Sequence, residues 1–232
     1  KGHKVTQSNL RAEQFNPISS SLDFNTSSGA HAEYIFEQQR AVNTGTGFSP
    51  DIQAEMNKVK EIRPGVVIAE AGAIVSKVDE ACRAHSGQEL RLHPSTCRTA
   101  TIGGFIAGGS GGVGSINWGG LRDLGNVIRL RVLTMEAEPR VLEMTGEDLQ
   151  KVMHAYGTNG IVVELGLALT PAKDWIHTAA LFDGYDTALR FAMSAQETGM
   201  DCYLLTAVER RFSPYYTKFG ALFPADRDAI FA

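Results

Sequence analysis

The segment Thr101 to Gly120 (TIGGFIAGGSGGVGSINWGG) holds nine of the chain's 24 glycines. Glycine admits positive φ and lets a ligand come close to the backbone, and consecutive exposed amides make a site for phosphate oxygens. Turns between strands use one or two glycines each. This density therefore points to a loop that cradles a phosphate or a cofactor. Other residues able to carry chemistry are scattered: His93, Cys97, Asp123, His154, His177 and the pair Arg210-Arg211.

Two nucleotide signatures can be tested directly. Gly109-Ser110-Gly111-Gly112-Val113-Gly114 satisfies G-x-G-x-x-G, and Glu136 lies about where a ribose-binding acid would follow. The context fails, because that motif needs a strand before it and an amphipathic helix opening at its third glycine. Here Ser115 to Gly125 (SINWGGLRDLG) carries three more glycines and no helical stripe. No G-x-x-x-x-G-K-[ST] occurs, which excludes a P-loop.

The elements that must position these residues alternate between the two periods. Pro64-Gly65 reads as a turn and Val66 to Glu70 as a strand. Ile74, Val75, Val78, Ala81 and Cys82 have helical spacing up to a C′ glycine, Gly87. The glycine segment has no consistent period and reads as mostly loop. Asn126 to Met135 alternates as a strand, with Pro139 to Met144 as its hairpin partner. A helix opening at Thr145 would bury Leu149, Val152, Met153 and Tyr156 before Gly157, and Ile161 to Leu169 is a further strand ended by Pro171. Beyond Pro171, Trp175 to Phe182, Asp186 to Thr198 and Tyr203 to Glu209 read as strand, helix and strand, the beginning of a second α+β domain. Before Gly45, only Ala32 to Val42 suggests a short helix.

Composition narrows the classes. With 232 residues, 43% hydrophobic and 21% charged, the chain can bury a core and is not disordered, and a net charge of −4 gives no nucleic-acid footprint. Three cysteines (Cys82, Cys97, Cys202) at irregular spacing fit neither a disulfide framework nor a zinc pair. A reducing compartment is expected, and cytoplasmic location with it, because no run long enough for a membrane span and no signal peptide is seen. The start at Lys1 and the apolar end at Ile230-Phe231-Ala232 suggest a chain incomplete at one or both ends.

A spaced set of motifs carries a resemblance. Leu92-His93-Pro94-Ser95-Thr96, Ala100 to Gly104 (ATIGG), Gly111 to Ser115 (GGVGS), Trp118-Gly119, Arg122-Asp123 and Gly157 to Ile161 (GTNGI) occur in this order. Together they resemble the FAD-binding (PCMH-type) domain of the FAD-linked oxidases, the vanillyl-alcohol oxidase superfamily. The likeness is greatest to the branch with glycolate oxidase and D-lactate dehydrogenase subunits. It covers roughly residues 56–171.

The resemblance implies an α+β architecture: a PCMH-type FAD-binding domain of two α/β subdomains, then the start of an α+β substrate (cap) domain. The implied boundaries are 1–172 for the FAD-binding domain (first subdomain about 1–65, incomplete; second 66–172) and 173–232 for the truncated cap. It also implies non-covalently held FAD. Pro94, Ser95 and Thr96 would face the flavin and diphosphate. Thr101, Ile102, Gly103 and Gly104 would approach the cofactor closely, and Ser110, Gly111, Gly114, Ser115 and Trp118 would continue that wall. Gly160, Ile161 and Val162 would meet the adenine or ribose. One departure stands out: the family's Arg-Gly-Gly-Gly-Thr-Gly-Asn loop is reduced here to Gly45, Thr46 and Gly47, within Arg40 to Phe48.

The implied activity is oxidation of a small 2-hydroxy acid, such as glycolate or D-lactate, by hydride transfer to FAD. The alternative is a non-catalytic flavin-binding or accessory subunit of such an enzyme; for either reading a homo-oligomer or a partner subunit is open. No catalytic residue and no electron acceptor is read from the sequence. His93, Cys97 and His177 each have a flavin-facing reading beside the ordinary one of a packed or solvated side chain. Asp123 is expected to fix the loop, and Arg210-Arg211 could clamp a carboxylate or be a solvated pair.

Overall fold

The computed structural model describes residues 49, 50, 53, 54 and 58–232, apart from 218, 220 and 221. Gly45, Thr46, Gly47 and the helix expected over Ala32 to Val42 lie outside the described residues. The chain divides between Lys58 and Val59, and the second unit, Val59–Ala232, is the subject below.

Its main element is a six-stranded antiparallel sheet. β1 (Val59–Arg63) and β2 (Val66–Glu70) form a hairpin whose two-residue turn is Pro64-Gly65, with Gly65 at φ +80. Proline fixes the first central residue of that turn and glycine supplies the positive φ of the second. β6 (Ile161–Pro171) is the central strand, pairing with β2 on one side and β4 (Val127–Leu133) on the other. β4 continues to β5 (Val141–Thr145), and short β3 (Gln88–Leu90) pairs with the end of β6.

One sheet face is apolar. Val67 and Ala69 of β2, Leu130 and Val132 of β4, and Leu165, Leu167 and Leu169 of β6 are buried there. Helix α1 (Val75–Ser86) adds Val78 and Cys82 to this core, and helix α2 (Ile102–Gly108) adds Ile102, Phe105 and Ile106. Neighbouring strand positions carry Lys60, Glu70, Arg129, Arg131, Glu143 and Glu164. Glu164 is 5% exposed, and it receives Lys60 Nζ at 2.7 Å and Arg129 Nη2 at 2.6 Å. Burial alone would raise the Glu164 carboxyl. The Lys60 hydrogen bond and the charges of Lys60, Arg129 and Arg131 outweigh it and hold the group below the usual carboxylate range.

Several expectations change in detail. The glycine segment is not mostly loop: α2 fills Ile102–Gly108 and a one-turn helix, α3, fills Ser115–Trp118. Thr101 caps α2 by accepting Gly104 N on its side chain, and Gly109 closes it at φ +64, so capping overrides poor propensity. The helix expected from Thr145 is a 3₁₀ segment, Gly146–Lys151, followed by turns. Leu149, Val152 and Met153 are buried as expected, but Tyr156 is 73% exposed. His154 and Tyr156 have φ of 61 and 52, which no helix permits. Their amides instead donate to Ile106 O and Ala107 O at the end of α2.

The last section forms a three-stranded antiparallel sheet in the order β7 (Ala179–Phe182), β9 (Asp228–Phe231), β8 (Thr206–Val208). Helix α4 (Tyr185–Glu197) belongs with it. β7 and β8 are shorter than their sequence patterns suggest. β9 has no strand prediction, although Ala229 and Ile230 are fully buried.

Candidate functional site

The motif residues converge by backbone pairing. His93 and Val113 exchange both main-chain hydrogen bonds, 3.1 and 2.7 Å, as an isolated antiparallel bridge. Pro94-Ser95-Thr96 follows the bridge on one segment and Ser110-Gly111-Gly112 precedes it on the other. Among the described residues, no protein group accepts from the amides of Ser95, Thr96, Ser110, Gly111 or Gly112. Ser95, Thr96, Ser110, Gly111 and Ser115 are exposed. A Cβ at Gly111 would meet nothing within 4 Å, so the surface above it is open. Consecutive unpaired amides beside exposed hydroxyls are a donor set for a polyanion such as a diphosphate.

The loop from Cys97 to Gly104 is tied to the start of α1. Val75 N and Ser76 N donate to Ala100 O and Cys97 O at 3.1 and 3.0 Å, which satisfies orphan donors of a helix whose N-cap, Ile74, has no capping side chain. Ile102 N and Gly103 N donate to Ala73 O and Ala71 O at 2.8 and 2.9 Å. The bare α-carbon of Gly103 thus accommodates Ala71: a Cβ there would lie 2.9 Å from Ala71 O and closer still to Ala71 Cβ. Ile102 and Gly103 are buried in the protein, whereas Gly104 is exposed, although its amide is taken by Thr101 Oγ1.

Trp118 and Asp123 build the far end of the wall. The Arg91 guanidinium carbon lies 4.3 Å from the Trp118 ring centroid. Asn126, 5% exposed, donates to Trp118 O and Gly120 O, each at 2.9 Å. Asp123 Oδ2 accepts from Gly120 N at 2.7 Å, so it fixes the loop. Gly114 is pressed against Arg91 O and, at 3.1 Å from a built Cβ, the Tyr203 ring, and it has φ +99; no other residue fits. Gly160 is buried at φ +145, Ile161 is half exposed, and Val162 packs at the core's edge.

Of the remaining candidates, His177 is exposed, and His93, His154, Arg210 and Arg211 have partners within the protein. His93 Nδ1 lies 3.0 Å from Pro94 O, and its ring stands 5.4 Å from Tyr203. His154 Nε2 is 3.2 Å from the Tyr156 hydroxyl. Arg210 is no free clamp, since Asp228 holds it through both oxygens, and Arg211 pairs with Glu209 at 2.6 Å. Burial pushes the Cys97 thiol up, and that of Cys82 up to about 12 with help from Asp79. Among the described residues, no group of His, Cys, Asp or Glu could hold a metal.

Sequence reasoning missed Tyr203, which reaches both motif segments from the last part of the chain. Its hydroxyl donates to Leu90 O at 2.9 Å and its carbonyl accepts from Gly114 N at 3.0 Å. Its ring stacks on Trp175 at 5.0 Å, and Trp175 Nε1 donates to the buried Glu89 at 3.0 Å. Burial and the charge of Glu89 push the Tyr203 hydroxyl well above its ordinary range, so it remains a donor. No local pattern announces such a contact.

Known proteins match this chain in two ways. Residues 38–143 match the FAD binding domain family, a range that includes Gly45 to Gly47 and every motif residue through Trp118. Two crystal forms of alkyldihydroxyacetonephosphate synthase (P212121 and P1) share the fold with TM-scores of 0.59 and 0.60 at 15% identity. The alignment covers 76% of this chain and 36% of the synthase, so the chain spans about a third of that protein's length. No curated protein sequence matches. The architecture is that of a PCMH-type FAD-binding domain, α+β in class. The matched family is one of FAD-binding domains, and FAD is the cofactor that the match supports.

Proposed function

We propose that this chain is the FAD-holding part of a flavin-linked oxidoreductase that oxidises a small 2-hydroxy acid of the glycolate or D-lactate type. The observation that carries the FAD-holding role is the set of unpaired amides, Ser95, Thr96 and Ser110 to Gly112, on the two segments joined by the His93–Val113 bridge and within the matched range. The residues fit the group. The five amides would donate to diphosphate oxygens, and the hydroxyls of Ser95, Thr96, Ser110 and Ser115 would add donors. Thr101, Ile102, Gly103 and Gly104 would form the inner wall, with Gly104 as the exposed point of approach. Gly114 and Trp118 hold the loop's shape, Gly160, Ile161 and Val162 would meet the adenine or ribose, and Gly45, Thr46 and Gly47 are further cofactor candidates within the matched range. When bound, FAD supplies the hydride acceptor; the protein supplies orientation and exclusion of water.

The hydroxy-acid class rests on the motif run from His93 to Asp123. A second reading, a flavin-binding subunit without its own turnover, is favoured by one observation: Arg210 and Arg211 are both tied up in ion pairs. Three free cysteines accord with a reducing, cytoplasmic setting. The test is to purify the chain, add FAD, remove excess, and follow the flavin band anaerobically with glycolate or D-lactate. Bleaching of bound flavin supports the enzyme; bound but unbleached flavin supports the subunit. Absence of any retained flavin overturns both.

A further inference from the structure

We infer that Tyr203 is a positioning residue through which the cap segment sets the shape of the FAD-binding wall; this rests on the FAD reading above. Four contacts carry it. The Tyr203 carbonyl takes the Gly114 amide, the first residue after the bridge that aligns the two donor strips. The hydroxyl holds Leu90 O, three residues before His93. The ring lies beside His93 and covers the open side of Gly114. The neighbouring Cys202 O accepts from Asn117 Nδ2 at 3.0 Å, fixing α3 as well. One residue thus touches both ends of the His93–Val113 bridge, from a segment of chain about ninety positions away.

The other ties of this region go elsewhere. Trp175 reaches Glu89, Arg83 donates to Lys173 O and pairs with Asp79 at 2.8 Å, and none of these touches residues 110–115. Trp175 stacks on the Tyr203 ring, but of these residues Tyr203 alone reaches Gly114. If its loss leaves the donor strips correctly aligned about a tenth of the time, the apparent Kd for FAD rises about tenfold, because affinity scales with the competent fraction.

The experiment compares wild type, Tyr203→Ala, Tyr203→Phe and Trp175→Ala, measuring FAD Kd by quenching of flavin fluorescence and melting temperature without FAD. Expected are a Kd about tenfold weaker for Tyr203→Ala and about threefold weaker for Tyr203→Phe. Trp175→Ala, which removes the ring stacked on Tyr203 but leaves its bonds to Leu90 and Gly114, should lower the melting temperature and weaken Kd less than Tyr203→Ala does. A structural role alone would lower both melting temperatures and leave every Kd alike, and that result overturns the inference. If Tyr203→Ala does not fold, Tyr203→Phe decides, and a wild-type Kd for it overturns the inference too. Wild type that takes up no FAD overturns the FAD reading itself and is recognised before any variant is compared.

Discussion

Three glycines share the seven-residue helix α2, and the same substitution should have opposite effects at two of them. At Gly103 a new Cβ would fall on Ala71, whose carbonyl also accepts the Gly103 amide at 2.9 Å. Overpacking costs about 1–3 kcal/mol and the strained hydrogen bond about 1, while alanine's better helix propensity returns about 1. Gly103→Ala should therefore destabilise the protein by about 2 kcal/mol, or about 4–8 °C in melting temperature for a chain of this size. At Gly108 a Cβ meets nothing within 4 Å and φ is not positive. Gly108→Ala should stabilise the FAD-free protein by up to about 1 kcal/mol. Thermal and urea unfolding of the two variants, each without FAD, read the difference. A Gly103→Ala protein as stable as wild type, or less harmed than Gly108→Ala, refutes the packing account and returns Gly103 to a role in cofactor approach.

Gly111→Ala separates ligand from fold: the open surface should leave melting within about 2 °C of wild type, while FAD affinity falls about tenfold; equal affinity removes Gly111 from the wall. Glu164 and Asp228 have carboxyls held below the usual range, Asp228 by its Arg210 hydrogen bonds. Such groups stabilise above the unfolded value of about 4 and lose that contribution as pH falls through the folded value. Urea midpoints should drop below about pH 4, and Glu164→Gln should flatten that slope. Alkylation of the native protein at about pH 8 should label Cys97 slowly and Cys82 only on unfolding; FAD should slow Cys97 further. Prompt labelling of Cys82 contradicts its full burial.

Much of the frame was legible because its signals are local. Val66 to Glu70 and Ile161 to Pro171 are apolar runs bounded by Gly and Pro, and α1 shows its spacing and its closing Gly87. What failed did so where tertiary contacts override local preference. α2 forms despite its glycines because Ala71, Ala73 and Thr101 receive its first amides. The 3₁₀ segment stops short because His154 and Tyr156 turn to meet the end of α2. β1 alternates too briefly between charged and apolar residues to stand out. In the site, the glycine run and the Pro94 turn were readable as one wall. The use of Gly103 for packing and the reach of Tyr203 were not, because each depends on a partner distant in sequence.

The central place of β6 bears on how the chain must be made. β2 leaves the ribosome about a hundred residues ahead of its partner residues, Leu165 to Ala168. Until then, among the described strands, the apolar edge Val66 to Ala69 has only β1 beside it, and closing so long a loop is slow. Synthesis thus includes an interval with an unpaired, sticky strand, which invites chaperone holding. Nascent chains arrested before residue 160 should be protease-sensitive and aggregation-prone. Chains that have released residue 171 should be neither.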